Sequence, residues 1–319
     1  MNLDHEQHVI FGTGPVGCWI ASTLRSMDIP TRAINRTGQR PALMPADVEV
    51  AAANAASQTE AIAAAEGATV IYQALNPSYH RWQQEFPALQ SAAIAAAKST
   101  GARYVSIDNL YMYDSAQPIT ETSPIAPLSK KGKLRAQMAE AVMAAHHQGE
   151  IQAAVLRSSD YYGPGVTGSA LGEMVFGNLV VGKKAQISGS ATMPHSFAYI
   201  EDVGRAAAIL GTRAEALGQV WIGPHAPATT QGEMVEVACQ ILGIQPQIAV
   251  ISPMMMRLAG LFIPEARASV EMMYEFTQPF EVCSSYISEV FSLQPTLIQA
   301  GLERTVSWYC EKAKNEPDQ

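Results

Sequence analysis

Three glycines near the start of the chain follow a short apolar strand and open a helical segment. Gly12, Gly14 and Gly17 have the spacing GxGxxG. In such a turn the first glycine permits the tight bend, the second lets the backbone approach a pyrophosphate, and the third lets helix and strand pack closely. The helix N-terminus then offers free N–H groups to the phosphates. We therefore predict a dinucleotide site, against the alternative of a structural glycine turn, lined by Gly12, Thr13, Gly14, Pro15, Val16 and Gly17.

The end of the second predicted strand indicates which dinucleotide binds. NAD sites usually place an acidic residue there for the ribose hydroxyls, but here Asn35 stands at that point and Arg36 follows. A carboxylate would repel a 2′-phosphate, whereas a guanidinium binds one. We predict NADP(H) rather than NAD; the alternative is that Arg36 is a solvated loop charge. Residues after the third and fourth strands are expected to contact the same cofactor: Asn54, Ala74 and Asn76.

The segments that carry these residues alternate between strands and helices. Six apolar strands separated by helical segments occupy the first half of the chain, and a late strand is predicted at 219–222. This order is typical of βαβ units and predicts an α/β fold with a Rossmann-type, doubly wound parallel sheet. We expect a dinucleotide domain over 1–164, completed by about 195–222. Residues 165–194 and 223–319 would form a smaller, mostly helical substrate-side lobe.

Six tracts occur in an order that points to a known family. They are FGTGPVG at the start, ALNPSYHRWQQEFP after the fourth strand, YMYDSAQPITETSPIAPLS after the fifth, VLRSSDYYGPG after the sixth, then HSFAYIEDVGRA and GLERTVSWY. Over almost its whole length the chain resembles the extended, epimerase/dehydratase-like branch of the short-chain dehydrogenase/reductase superfamily, as an atypical member. The resemblance implies a nicotinamide cofactor and a catalytic set of serine, tyrosine and lysine, the last two spaced YxxxK.

The chain departs from that set, because YxxxK does not occur in it. Matching the family pattern puts Lys131 in the place of the tyrosine and Arg135 in that of the lysine, and Asn109 in the place of the serine. An amide can hydrogen-bond a substrate oxygen but cannot supply a proton as a phenol does. Another register pairs Ser129 with Lys133, although a serine hydroxyl is a much weaker acid.

The proton must therefore come from another group. Tyr111, two residues past Asn109, is one candidate donor, with a packing role as its alternative, and Lys131 is another. Tyr79 and His195 are expected on the substrate side, with a surface-loop histidine as the alternative for His195. Tyr162, in YGPG, is expected to line the cofactor or to pack in the core.

Three functions are compatible with these residues. The first is an NADP(H)-dependent oxidoreductase acting on a small organic carbonyl, hydroxyl or activated alkene, with Asn109 orienting the substrate oxygen. The second is a non-catalytic NADP(H)-binding redox sensor or regulatory protein, since both the tyrosine and the lysine are missing. The third is a sugar-nucleotide epimerase or dehydratase, which needs the same proton donor and a site for a diphosphate.

Composition excludes several other classes. The net charge of −8, without basic clusters, argues against nucleic acid as the main partner. The sequence contains no run of 18 apolar, uncharged residues, so we expect no membrane-spanning helix. Four scattered cysteines without a CxxC pair predict reduced thiols, no metal site and a cytoplasmic location. A homodimer is possible through the helical segments at 79–99 and 130–147.

Overall fold

A computed structural model describes residues 6–315 of the chain. These residues divide into two compact units. The first contains the described residues up to Met112, then Lys130–Arg157 and Val203–Gly223. The second contains Tyr113–Ser129, Ser158–Asp202 and the described residues from Pro224 onward.

The first unit is built on a parallel sheet that contains seven strands in the described part of the chain. Its spatial order is β3-β2-β1-β4-β5-β6-β7, and the order reverses between β1 and β4. Ligands of open α/β sheets bind at such a reversal, beyond the carboxyl ends of the strands. The predicted doubly wound Rossmann fold is confirmed. In chain order the strands are β1 (His8–Phe11), β2 (Thr31–Asn35), β3 (Glu49–Ala52), β4 (Val70–Gln73), β5 (Arg103–Asp108), β6 (Gln152–Arg157) and β7 (Val220–Ile222).

Helices cover the sheet and connect its strands. Alanines make close packing possible, since α2 and α3 bury small side chains such as Ala61, Ala93 and Ala96 in one cluster with the sheet residues Val9 and Ile71. Small side chains let helix axes approach and leave few voids. The helices of this unit are α1 (Pro15–Ser26), α2 (Gln58–Ala64), α3 (Trp82–Thr100), α4 (Lys130–His147) and most of α5 (Ile200–Thr212).

The second unit is largely helical with short strands. A buried cluster of its own, which includes Phe176, Ile187 and Tyr309, forms its core. A parallel pair joins strands Ala185–Ser188 and Ile248–Ile251. Its labelled helices are α6 (Gln231–Leu242), α7 (Pro253–Ala259), α8 (Pro264–Ser269), α9 (Ser285–Phe291) and α10 (Ile298–Asn315). Shorter elements are a helical turn at Asn178–Val180 and two-residue strands at Tyr161–Tyr162, Pro194–His195, Ala198–Tyr199 and Thr229–Thr230.

The division into units differs from the predicted domains at three segments. Residues 113–129 follow β5 in sequence but belong to the second unit, where Ile119 pairs with Val282. Residues 158–164 and 195–202, expected in the dinucleotide domain, also belong to the second unit. The bridge from Ile119 to Val282 joins residues far apart along the chain, which local sequence does not predict.

Candidate functional site

The glycine turn lies between β1 and α1 and leaves the head of the helix open. Gly12 has φ +111°, and a Cβ there would lie 2.7 Å from the Ala74 carbonyl oxygen. A Cβ on Gly17 would overlap the Gly12 carbonyl oxygen. A Cβ on Gly14, in contrast, would meet nothing within 4 Å. Gly12 and Gly17 therefore serve the fold, whereas Gly14 keeps space open above the helix N-terminus.

That helix N-terminus suits an anion. Gly14 is the N-cap of α1 and Pro15 follows, no side chain caps the first turn, and the turn contains no acidic residue. The unsatisfied N–H groups and the helix dipole favour negative charge at this point. Cys18 adds no negative charge at this helix end. Its thiol donates to the Thr13 carbonyl oxygen at 3.4 Å, and burial raises the pKa of Cys18 to about 11. These residues fit the pyrophosphate of a dinucleotide.

Asn35 organises the loop that follows β2. Its Oδ1 accepts hydrogen bonds from the backbone N–H groups of Thr37 at 3.0 Å and Gly38 at 2.7 Å. Its Nδ2 donates to Thr13 Oγ1 at 3.0 Å and to the Gln39 carbonyl oxygen at 2.8 Å. The amide thus ties this loop to the glycine turn. An aspartate would keep the two acceptor bonds but lose both donor bonds.

Two arginines flank this turn. Arg36 directly follows Asn35 and is exposed. Arg40, which the sequence analysis did not single out, is also exposed and donates from Nη1 to the Pro45 carbonyl oxygen at 2.6 Å. A second guanidinium four residues after the first was the sequence signal that could have identified it.

The other predicted cofactor contacts lie at the carboxyl ends of neighbouring strands. The Ala74 N–H donates to the Phe11 carbonyl oxygen, and this hydrogen bond joins the segment after β4 to β1. Asn76 is exposed two residues further on. Asn54 follows β3, and its side-chain oxygen accepts from the Ala56 N–H at 3.2 Å. The structure therefore brings the residues after β1, β2, β3 and β4 to one edge of the sheet.

An aromatic cluster lies beyond the next two strand ends. The hydroxyls of Tyr79, which follows β4, and Tyr111, which follows β5, form a hydrogen bond in which either can donate. Trp82 packs edge-on against the Tyr79 ring at 4.8 Å and stacks on the Tyr111 ring at 6.0 Å. Lys131 of α4 places Nζ 5.3 Å from the centre of the Tyr79 ring. The sequence predicted the tyrosines and the lysine separately and missed Trp82.

Arg135, one turn further along α4, faces a different group. Its Nε donates to Asp108 Oδ1 at 2.7 Å, and its Nη2 donates to the same carboxylate and to the Ile107 carbonyl oxygen. Arg157 lies 3.6 Å from the other Asp108 oxygen. All three charged side chains are buried. This ion cluster joins β5, α4 and β6, so Arg135 has a structural task whatever else it does.

Asn109 is also committed to local structure. Its Oδ1 accepts from the Tyr111 N–H at 3.2 Å, and its own N–H donates to Asp108 at 2.8 Å. The first of these bonds fixes the loop that carries the Tyr111 ring. If Asn109 orients a substrate oxygen as predicted, its amide nitrogen would donate the hydrogen bond, since the amide oxygen already accepts one.

Comparison with known proteins gives the family. The model of the NAD dependent epimerase/dehydratase family matches residues 9–223, about two thirds of the chain. The chain belongs to this family. No curated protein matches the sequence.

Solved structures agree with this assignment at the level of the fold. A dTDP-glucose 4,6-dehydratase from Bacillus anthracis str. Ames, in complex with NAD, is similar with a TM-score of 0.79 and 16% identity, covering 97% of this chain and 98% of that one. The dTDP-glucose 4,6-dehydratase DesIV from Streptomyces venezuelae has a TM-score of 0.80 and 17% identity, covering 98% and 99%. A UDP-glucuronic acid 4-epimerase from Bacillus cereus has a TM-score of 0.76 and 15% identity, covering 96% and 99%.

Two predicted site residues of this family member lie in the second unit and are deeply buried. Tyr162 is 1% exposed, packs against Tyr199, and its hydroxyl has no hydrogen-bond partner among the described residues. Burial raises the pKa of Tyr162 well above its ordinary value. A Cβ on Gly301 would lie 2.6 Å from that hydroxyl. Tyr162 thus has the surroundings of a core residue, and its contact with the cofactor stays a prediction.

His195 is 1% exposed, and its ring is stacked among three phenylalanines, Phe197, Phe276 and Phe280. Its Nδ1 lies 3.1 Å from the Glu275 carbonyl oxygen, which can only accept. Nδ1 therefore carries a proton and donates to that oxygen, and Nε2 lies 3.3 Å from Ser159 Oγ. The structure does not place His195 on an exposed loop, and its substrate-side role stays a prediction.

Sequence reasoning missed a buried carboxyl group on Glu275, the residue whose backbone carbonyl contacts this histidine. Glu275 is 1% exposed, and neither of its side-chain oxygens has a hydrogen-bond partner in the part of the chain that the structure describes. Burial, and then the nearby Asp160, raise the pKa of Glu275 well above its ordinary 4.5. Asp160 Oδ2 is 3.0 Å from His195 Nε2, close enough for an ion pair but without hydrogen-bond geometry.

The described residues lack two other classes of feature. They contain no group of three or more histidine, cysteine, aspartate or glutamate side chains able to hold a metal ion. No helix among them is long and apolar enough to cross a membrane.

Proposed function

We propose that this protein is an NADP(H)-dependent oxidoreductase acting on a small organic carbonyl, hydroxyl or activated alkene. When bound, the nicotinamide supplies or accepts a hydride. The observation that carries the proposal is the loop after β2, where Asn35 replaces the usual carboxylate and Arg36 is exposed beside it. Family membership supports the nicotinamide cofactor, and the proposal adds the 2′-phosphate.

Residues that follow three of the sheet strands would bind the cofactor and the substrate. The N-terminus of α1, open above Gly14, would hold the pyrophosphate. Arg36, with Arg40 nearby in sequence, would pair with the 2′-phosphate. Asn109 would orient the substrate oxygen through its amide nitrogen. A phenol outside the usual motif would donate the proton.

Fluorescence titration with NADPH and NADH tests the cofactor, and a panel of aldehydes, ketones and enones tests the reaction. The proposal expects NADPH to bind and to be consumed with at least one compound class. Binding without consumption over the whole panel would contradict the reaction and leave the cofactor proposal standing. The absence of binding by either nucleotide would contradict both.

One observation favours the second candidate, a non-catalytic NADP(H)-binding regulator. The Arg135 guanidinium, in the place of the family's lysine, is held by Asp108 in a buried ion cluster. NADPH binding without turnover, accompanied by a nucleotide-dependent change in binding to another protein, would support this candidate over the reductase.

The family supports the third candidate, a sugar-nucleotide epimerase or dehydratase. The dehydratase and epimerase structures that resemble this chain are proteins that act on dTDP-glucose and UDP-glucuronic acid. Incubation of the protein with these sugar nucleotides and NAD or NADP, followed by NMR of the sugar, would separate this candidate from the reductase. Inversion at C4 or a 4-keto product would favour it.

The proposal also places the protein in the cytoplasm. All four cysteines are free, and Cys283 is exposed. Free thiols are typical of reducing compartments.

A further inference from the structure

The missing phenol of the YxxxK motif has a counterpart elsewhere in the first unit. Tyr79 follows β4, and Lys131 stands on α4 at the position where the family has its tyrosine. The two side chains meet, with Lys131 Nζ 5.3 Å from the centre of the Tyr79 ring. We infer that Tyr79 is the proton donor of the proposed reductase and that Lys131 supplies the cation. This inference rests on the proposed function and deepens it.

Exposure decides between the two hydrogen-bonded tyrosines. Tyr111 is 7% exposed and lies against the Trp82 ring, whereas Tyr79 is only partly buried. Tyr79 also belongs to the segment after β4, next to the reversal of strand order where ligands bind in this class of sheet. Of the two tyrosines, Tyr79 is therefore the more accessible to a substrate, and we assign Tyr111 as a positioning residue.

Two neighbours stabilise negative charge on Tyr79 after it has given up its proton. The Tyr111 hydroxyl can donate a hydrogen bond to Tyr79 Oη. The Lys131 ammonium lies close to the ring in a site where Lys131 is 7% exposed, so water screens it weakly. A hydrogen bond and an opposite charge both favour phenolate, which is what a proton donor near neutral pH requires.

Trp82 holds this arrangement in place. Its indole Nε1 donates to the Pro77 carbonyl oxygen at 2.9 Å, and its ring contacts both tyrosine rings. The turn at 77–82 and the loop after β5 are thereby fixed to each other. The hydroxyl pair thus rests on a buried side chain, 3% exposed, that begins α3.

The proton balance of the step is simple. For each carbonyl reduced, the substrate would gain a hydride at carbon from NADPH, which becomes NADP⁺, and a proton at oxygen. That proton would leave the Tyr79 O–H bond, and the resulting phenolate, on the more exposed of the two tyrosines, would regain a proton from solvent. One proton is consumed from solvent for each turnover, and no oxidant or further reductant is needed.

Phenolate absorbance in the near ultraviolet tests the inference without any substrate. The difference between wild-type and Tyr79→Phe titrations reports the ionisation of Tyr79. We expect its midpoint below the ordinary tyrosine value of about 10. Lys131→Met should move the midpoint back toward that value. Lys133→Met, an exposed lysine on the same helix, is the matched control and should not move it.

A Tyr79 midpoint at or above the ordinary value, or one that Lys131→Met does not change, would overturn the inference. NADPH titration of Tyr79→Phe and Tyr111→Phe separates this failure from that of the proposed function. If Tyr79→Phe still binds NADPH but no longer shows the phenolate absorbance that appears below the ordinary tyrosine pKa, the inference is supported. If wild-type protein binds no nucleotide, the proposed function fails, whereas the phenolate test still decides the Tyr79–Lys131 pair.

When a substrate is known, Tyr79→Phe should lower kcat at least 100-fold with little change in KM, since loss of a general acid typically costs about 100- to 10,000-fold. Tyr111→Phe should lower kcat less and shift the pH profile. Full activity of Tyr79→Phe would contradict the assignment.

Discussion

Replacement of Gly14 by alanine should separate cofactor binding from folding. Gly14 has φ −68° and ψ −178°, a conformation that alanine adopts freely. The added methyl group would meet no protein atom within 4 Å. It would instead extend into open space at the N-cap of α1, the end of the helix where we expect the pyrophosphate.

The magnitudes for this variant have opposite signs for stability and binding. A glycine-to-alanine change in a compatible conformation stabilises a protein by about 0.4 to 1 kcal/mol, because the unfolded chain loses freedom. Loss of one charge-assisted hydrogen bond between a phosphate and the helix costs about 1.5 to 3 kcal/mol. At 1.4 kcal/mol for each factor of ten, NADPH should bind roughly 10- to 100-fold more weakly.

Urea unfolding and NADPH titration of the same preparations measure both quantities. Gly168→Ala is the matched control, since its Cβ also meets nothing within 4 Å and it lies in the second unit. It should leave NADPH affinity unchanged. Gly17→Ala should destabilise the fold, because its Cβ would overlap the Gly12 carbonyl oxygen. Unchanged NADPH affinity in a folded Gly14→Ala protein would refute our placement of the pyrophosphate.

Three further predictions concern single side chains. Asp108→Asn should lower the free energy of unfolding by about 3 to 5 kcal/mol, because it leaves two buried guanidiniums without their carboxylate; a loss below about 1 kcal/mol in urea unfolding would contradict this. The raised pKa of Glu275 means that the native state holds a proton more tightly than the unfolded state. The contribution of Glu275 to the free energy of unfolding is therefore fully present below pH 4.5, its ordinary pKa. It is lost as the pH rises through the higher pKa that Glu275 has in the folded state. Glu275→Gln should remove this decline in urea unfolding measured across pH, and an unchanged slope would show that Glu275 is not its source. Arg36→Ala should weaken NADPH binding at least tenfold and leave NADH binding almost unchanged, as measured by calorimetry; an equal loss for both nucleotides would point to a structural role.

Features set by local sequence were predictable. The apolar runs gave the positions of all seven sheet strands, and the glycine spacing gave the turn before α1. At α6, Thr230 and Glu233 form a reciprocal capping box, as the threonine-x-x-glutamate spacing at a helix start indicates. Each of these depends on residues only a few positions apart, so period and spacing carry the information.

Contacts between distant segments were not predictable. The Asp202 carboxylate accepts from the N–H and hydroxyl of Thr296, 94 residues away. The Tyr79–Tyr111 hydrogen bond joins residues 32 apart, and nothing in either tract specifies it. Such pairs depend on the strand order and on which helix face packs inward. The sequence could name the candidate proton donors but not which of them meet.

The same limit applies to burial of charge. Glu275 stands in a tract, VEMMYEF, that predicts helix but not which side faces the core. Arg135 was predicted from its place in the family pattern, and its partner Asp108 was not considered. Both findings require the packed structure, because desolvation and ion pairing arise from neighbours distant in sequence.

Calorimetric titration of the wild-type protein with NADPH and with NADH, at one ionic strength, tests the account most directly. The loop of Asn35 and Arg36 predicts that NADPH binds at least tenfold more tightly than NADH. Equal or tighter binding of NADH would contradict the assignment of the 2′-phosphate, and heat from neither nucleotide would contradict the dinucleotide site itself.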